Sequence, residues 1–437
     1  MKVLVFCLWG ISASVLADDL MSVYQQAVYA DPNLKAAGFQ FEVSAAQQAQ
    51  AGGALLPQIS ANVNISYNNR KSVNDLQLGD DEYKGERYSV GLTQSLIDVA
   101  KIYNWKRYQS LTDKSLIDLY QAQQVLMYDV VERYFTVLAE QDNWLLISQE
   151  TETTARQLEQ IKRQFEKHLV KITDVYELEA KLDSLIADAI EAEALIDIAK
   201  QGLIELTGMP FKQLSTLRSD IEFAKLQGDL QLLTEQAQLN SPLIRAQEME
   251  IEAADYDLTS QQARHLPVVD LELQYYNTDT GYQNTQTPTI DTKVAAININ
   301  IPIFSGGATQ QRAHEAAMQL ELGKQQKIAL LRSVEKETRD AFLTANASVR
   351  RIKAANRALH SSVKAREAME KGFSYGMQSI GDVLISQARE YMAKRDLLTS
   401  KYIYIKNRIR FERASGILSP ASLEEINQWL EIRPAAG

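Results

Sequence analysis

The sequence predicts a mainly α-helical chain with a small β part, in which one strand pair and one long helical hairpin are used twice. Three observations carry this. First, residues 165–175 (FEKHLVKITDV) return as residues 373–383 (FSYGMQSIGDV). Phe165, Asp174 and Val175 match Phe373, Asp382 and Val383 at an offset of 208 positions, and Thr207-Gly208 matches Ser415-Gly416 at the same offset. Pro32 and Pro57 map onto Pro242 and Pro267 at an offset of 210. A repeat of this length means one supersecondary unit built twice. Second, four short segments alternate strictly between apolar and polar residues, the period of a strand. Third, no Gly or Pro lies between Leu92 and Gln201, as expected of helix interiors, where both are costly.

The order of elements follows from these periods. Residues 1–17, MKVLVFCLWGISASVLA, combine one Lys, a short apolar core and small residues at Val15-Leu16-Ala17. This is the pattern of a cleaved signal peptide and is too short to span a bilayer as a helix. The only cysteine, Cys7, lies within it, so the mature chain carries no thiol. The first structural repeat then covers residues 18–240. A helix broken at Asp31-Pro32 runs toward Pro57. Residues 58–67 put Ile59, Ala61, Val63, Ile65 and Tyr67 on one face and Ser60, Asn62, Asn64 and Ser66 on the other. A polar loop over 68–86 leads to a second strand over 87–97. A helical hairpin follows, with its tip near 167–173. Its first arm, residues 100–166, is about 100 Å long at 1.5 Å per residue. Apolar residues recur at coiled-coil spacing, as in Val175, Leu178, Leu182 and Leu185. The second arm stops at Gly208 and Pro210, the usual end of a helix. Residues 209–240 form a mixed connector.

The second repeat covers residues 241–437. A helix stops at Pro267, and strands follow over 268–275 and 292–304, separated by a polar loop over 276–291. In the second of these strands, Ala295, Ile297, Ile299, Ile301 and Ile303 oppose Asn298 and Asn300. A second hairpin has its tip near 375–381, and residues 417–437 make a C-terminal segment.

Strands of about ten residues with one apolar face are long enough to cross an outer membrane when tilted. A soluble sheet packed on a core reads the same way from alternation alone. Export by a signal peptide and the lack of any other apolar layer favour lipid. Four strands close no barrel, and open edges are not tolerated in lipid, so a membrane reading requires several chains to share one barrel.

Chemistry is absent by the same reading. The net charge of −10 does not favour nucleic acid. His314-Glu315 opens like a zinc-protease motif, but Met318 stands where a second His is required. No phosphate loop, metal set or catalytic constellation is present in the sequence, so we expect no enzyme, no cofactor and no metal.

Landmarks along the chain resemble the outer-membrane efflux channels of the TolC type. They are LMSVYQQAVYADPNL at 20–34, LLPQIS at 55–60, LTQSLID at 92–98, ITDV at 172–175, HLPVVDL at 265–271, IPIFSGG at 301–307, GFSYG at 372–376 and IGDVL at 380–384. The resemblance implies a homotrimer in the outer membrane of a Gram-negative bacterium, with a large periplasmic part. Each chain would give four strands to one twelve-stranded barrel and its helices to a long tunnel, belted by the two mixed segments. A periplasmic adaptor and an inner-membrane transporter would dock at the tips, and efflux or type I secretion substrates would pass passively.

The resemblance also implies a gate at the tips. Asp382 matches a pore-facing position and Asp174 a linking one. The pattern departs nearby: Ile385 stands in place of a second aspartate, Phe373 and Gln378 in place of a linking tyrosine and arginine, and His168 in place of a tip glycine that Gly376 retains. The tip residues His168, Leu169, Val170, Lys171, Gly376, Met377, Gln378 and Ser379 become candidate adaptor contacts. Two plainer readings stand beside these. Asp174 and Asp382 can simply cap the helices that follow them, since Asp is favoured at N-caps. The whole chain can be a periplasmic coiled-coil scaffold without a pore.

Overall fold

The computed structural model describes residues 18–70, 81–279 and 289–432. The signal peptide expected over residues 1–17 and the centres of both strand-connecting loops lie outside them. Two compact units are present.

One unit carries the strands. Its sheet has the order β1-β2-β4-β5, all antiparallel, with β1 over Gln58–Arg70, β2 over Asp81–Ile97, β4 over Val268–Thr278 and β5 over Ile290–Asn300. Three of the four strands run past the ends of the alternation, because the polar residues at their ends also pair. Asn69 donates to Glu82 at 2.9 Å, and Asn277 donates to Asp291 at 2.7 Å. The segments read as loops over 68–86 and 276–291 are therefore partly strand. The fourth strand ends earlier than its alternation suggests. Ile301, Ile303 and Phe304 fall beyond β5, since Pro302 has no N–H to give the ladder. Register places Ile59 opposite Leu92, Leu92 opposite Leu273, and Leu273 opposite Ala295, so the apolar residues share one face. That face is bare: Ile59, Val63, Ile297 and Ile299 are each between 63% and 73% exposed.

Small residues bind the helical part of this unit. Ala51, Ala253, Ala263 and Ala316 are buried, the Thr112 hydroxyl donates to the Ser44 carbonyl at 3.1 Å, and the Ser260 hydroxyl donates to the Ala100 carbonyl at 2.9 Å.

The other unit holds the hairpins. Helix α1 (Leu20–Ala30) meets α4 (Ile172–Thr207) and α9 (Pro420–Asn427). The long helices α3 (Val99–Glu166) and α7 (Ala308–Ser374) each end here, and α8 (Ile380–Ala414) returns from the second tip. The core contains Leu20, Tyr134, Phe135, Leu203, Ile405, Ile409, Leu418 and Leu423, all almost fully enclosed. The buried Tyr134 hydroxyl donates to the Ser215 carbonyl at 2.8 Å, and burial pushes its pKa far up. The two mixed segments meet in a short ladder, β3 (Thr216–Leu217) against β6 (Leu430–Glu431). An extended stretch ahead of α5 (Leu230–Asn240) is pinned where Tyr404 donates to the Ala224 carbonyl at 2.7 Å and Asn346 accepts from the Leu226 N–H at 2.9 Å.

Candidate functional site: the hairpin tips

Both tips close with the same hydrogen bonds. At the end of α3, His168 N–H donates to the Phe165 carbonyl at 2.8 Å and Leu169 N–H to the Gln164 carbonyl at 3.0 Å. At the end of α7, Gly376 N–H donates to the Phe373 carbonyl at 2.9 Å and Met377 N–H to the Gly372 carbonyl at 2.9 Å. This is the Schellman pattern, which needs a left-handed residue at its fifth position. Gly376 supplies it with φ of 71°, and His168 adopts it with φ of 58°. His168 is the one non-glycine residue with positive φ among the described residues. The repeat thus sets one backbone shape with two different residues at its strained point.

The second arms begin with acidic caps. Asp382 sits at the third position of α8. Its carboxylate accepts from the Ser379 N–H at 3.0 Å and the Ser379 hydroxyl at 2.7 Å, while Ser379 Oγ accepts from the Asp382 N–H at 3.1 Å. The bonds from Ser379 hold the Asp382 carboxyl below the usual carboxylate range. At the first tip, Asp174 accepts from the Lys171 N–H at 3.1 Å. Lys171 has no side-chain oxygen to return the bond, so that box is half built. The plainer reading of both aspartates as caps is correct in kind, but they sit three residues after the N-cap rather than on it.

Beneath the loops the two hairpins share one apolar cluster. Leu158, Ile161, Val175, Leu178, Ile380, Val383 and Leu384 are buried together, with Val170, Met369 and Phe373 packed against them. Phe373, the position resembling a linking tyrosine, belongs to this cluster. Gln378 folds back across its own loop, where a Cβ on Gly372 would lie 2.7 Å from the Gln378 stem. Ile385 is exposed, and Asp382, Ile385, Arg389 and Met392 form one exposed stripe along α8. Leu169, Tyr375 and Met377 stand bare at the ends, each at least 71% exposed, beside exposed His168, Lys171 and Ser379.

Two features escaped the sequence reading. Glu177 of α4 lies against the first turn of α8, its carboxylate 3.0 Å from where a Cβ on Gly381 would be. Further from the tip, Arg366 of α7 binds Glu390 of α8 and Glu370 of its own helix, both at 2.5 Å, and Lys394 lies 2.7 Å from Glu390. Burial opposes the charge on Glu390, but Lys394 and Arg366 outweigh it and hold the carboxyl below its ordinary value. The only hint in the sequence was the four-residue spacing of Arg366 and Glu370. Among the described residues no cluster of His, Cys, Asp or Glu is arranged to hold a metal, and no helix is long and apolar enough to cross a membrane.

Comparison with known proteins gives consistent matches. The model of the outer membrane efflux protein family matches residues 23–209 and 233–417. The chain is 29% identical over 426 residues to the outer membrane protein TolC of Vibrio cholerae, covering 97% of this chain and 96% of that one. It is 25% identical over 443 residues to the alkaline protease secretion protein AprF of Pseudomonas aeruginosa, covering 97% and 91%. Among solved structures, the outer membrane channel CmeC of Campylobacter jejuni shares the fold, with a TM-score of 0.79 at 17% identity, covering 95% of this chain and 90% of that one.

Proposed function

Since this chain belongs to the outer membrane efflux protein family, we propose that three copies assemble into one periplasm-spanning exit duct, gated at its hairpin tips. The observation that carries this is the sheet. Its apolar face is bare, and its outer strands β1 and β5 have no further partner among the described residues. Lipid satisfies the face, but only closure satisfies the edges. Four strands from each of three chains make a twelve-stranded barrel in which β1 of one copy pairs with β5 of the next. A scaffold without a pore leaves that face with nothing to cover it.

The opposite face of the sheet is polar and suits a water-filled lumen. Glu272 accepts from Asn298 at 2.7 Å and from Gln274 at 2.6 Å, and the Ser95 hydroxyl donates to Asp270 at 2.7 Å. At the hairpin tips, threefold symmetry brings three copies of Asp382 around the axis. Its cap uses one carboxylate oxygen and leaves the group ionised, so a ring of three favours cations. Ile385 follows on the same stripe, so the acidic constriction is one ring deep. Among the described residues the Asp174 carboxylate accepts from the Lys171 N–H of its own helix start, which supports a tip held chiefly by the apolar cluster around Phe373. The bare tips with Leu169, Tyr375 and Met377 suit a periplasmic adaptor, and through it an inner-membrane transporter for efflux or type I secretion.

The test is planar-bilayer conductance of the detergent-purified protein. A trimer that conducts, and loses cation preference in Asp382→Ala, is the expected result. A monomer without conductance rejects the duct, and a conducting trimer whose selectivity is unchanged in Asp382→Ala rejects the role of that ring.

A further inference from the structure

The chain is acidic overall, yet residues 341–366 contain six Lys and Arg and not one carboxylate. Arg350, Lys353, Arg357, His360 and Lys364 recur at three- and four-residue spacing along α7, which places them on one stripe of the helix. All five are exposed, and none forms an ion pair among the described residues. Beside them runs a parallel stripe of exposed small residues, Ala354, Ala358, Ser361 and Ala365. Helix α4 is the reverse. It carries nine Asp and Glu against two Lys. Asp183, Ile186, Ile190, Glu193 and Asp197 fall on one exposed stripe, and Ile190 is 65% exposed. Among the described residues Asp183 and Glu193 have no ion pair, and Asp197 pairs with Lys200 of its own helix.

We propose that the α4 stripe of one copy seats against the α7 stripe of the next, so that this charge-matched contact is a subunit interface of the trimer proposed above, on which the inference rests. Height decides the register. Within one chain the two tips are level, because Val175 and Leu178 share a cluster with Ile380 and Val383, and Glu177 lies against Gly381. Rotation about an axis along the hairpins keeps every residue at its height. Helix α4 climbs from His168 while α7 descends to Gly376, so distance from the tip can be counted on each. Ile186 and Ile190 stand 18 and 22 residues from His168, and Ala358 and Ala354 stand 18 and 22 residues from Gly376. Each isoleucine therefore meets an alanine, which lets the helices approach closely. Asp183, at 15 residues, falls between Lys364 at 12 and Arg357 at 19, level with His360 at 16. Glu193, at 25 residues, falls between Lys353 at 23 and Arg350 at 26. A small-residue seam flanked by opposite charges buries the exposed isoleucines and neutralises both stripes at once. One step of 1.5 Å per residue makes this match sensitive to a slip of a single turn.

The mature chain has no cysteine of its own, so a disulfide test is clean. Ile190→Cys combined with Ala354→Cys should give a covalent trimer on oxidation, resolved on a non-reducing gel. Ile190→Cys with Ala365→Cys is misplaced by roughly 16 Å along the helices and should give none. As a second measurement, Arg350→Glu with Lys353→Glu should shorten the lifetime of the detergent-solubilised trimer about tenfold, with recovery on adding Glu193→Lys. A protein that is trimeric by light scattering but forms no 190–354 link, or links only to an adaptor chain when one is present, overturns the interface while leaving the duct intact. A protein that is monomeric by light scattering overturns both.

Discussion

The left-handed His168 gives a sharp test of how the tips are held. In this conformation an L-residue pays about 1–2 kcal/mol relative to the right-handed helix, because Cβ approaches the following carbonyl. Glycine has no such cost but loses more freedom on folding, about 0.5–1 kcal/mol. His168→Gly should therefore stabilise the first tip by a net ~1 kcal/mol or slightly less. The gain belongs to local opening of the last turn of α3, because His168 is exposed. An increment of that size slows exchange through opening about fivefold. Hydrogen exchange read by mass spectrometry on peptides spanning 160–175 measures it, with the second tip in the same molecule as internal reference. The reciprocal change, Gly376→Ala, meets no atom within 4 Å of its new Cβ. Its cost is purely conformational, so exchange at residues 372–380 should quicken by a similar factor. Unchanged or faster exchange at the first tip of His168→Gly would refute the argument that backbone strain is stored there.

Other outcomes follow from the same structure. Gly416 also closes a Schellman turn with φ of 71°, but its Cβ would lie 2.7 Å from the Asn240 carbonyl oxygen. Gly416→Ala should cost roughly 2–4 kcal/mol through strain plus overpacking, seen as a lower denaturation midpoint. Ser379→Ala removes the hydroxyl of the complete capping box and should destabilise the start of α8 by about 1 kcal/mol, read as faster exchange over 379–384. Glu390 has a folded pKa below its unfolded value, so its stabilisation is fully present above about pH 4.3 and is lost as pH falls through the folded value. Wild type should therefore lose more stability than Glu390→Gln between pH 6 and 3, and equal losses would remove Glu390 from the account of acid sensitivity.

Much of the fold could be read from local periods. Alternation at Ile59, Val63 and Ile297 marked strands because side chains on a strand change face at every residue. Gly208 marked a helix end because few other residues enter the left-handed region at low cost, and the repeat carries that position onto Gly416. The resemblance set His168 in place of a tip glycine that Gly376 retains, and the two stand 208 positions apart, the offset of the repeat. Less of the site was legible. The resemblance set Phe373 at a linking position, but its neighbours Val175 and Val383 in the cluster were not legible from the sequence. Net charge hid the cationic stripe of α7, since averaging over the chain cancels it against α4. Glu177 and Gly381 are 204 positions apart, and nothing local announces that they touch.

The existence, type and repetition of the long helices and the four strands were legible along the chain, though not every strand end, because periodicity and capping act over one or two turns. Long-range contacts set what local pattern does not: the two tips end level, and the four strands take the order β1-β2-β4-β5, whose outer edges have no further partner among the described residues. Those outcomes depend on packing between residues far apart in the chain. Level tips in turn set which acid can face which base in a neighbouring copy, a relation fixed by height above the tip rather than by position in the sequence.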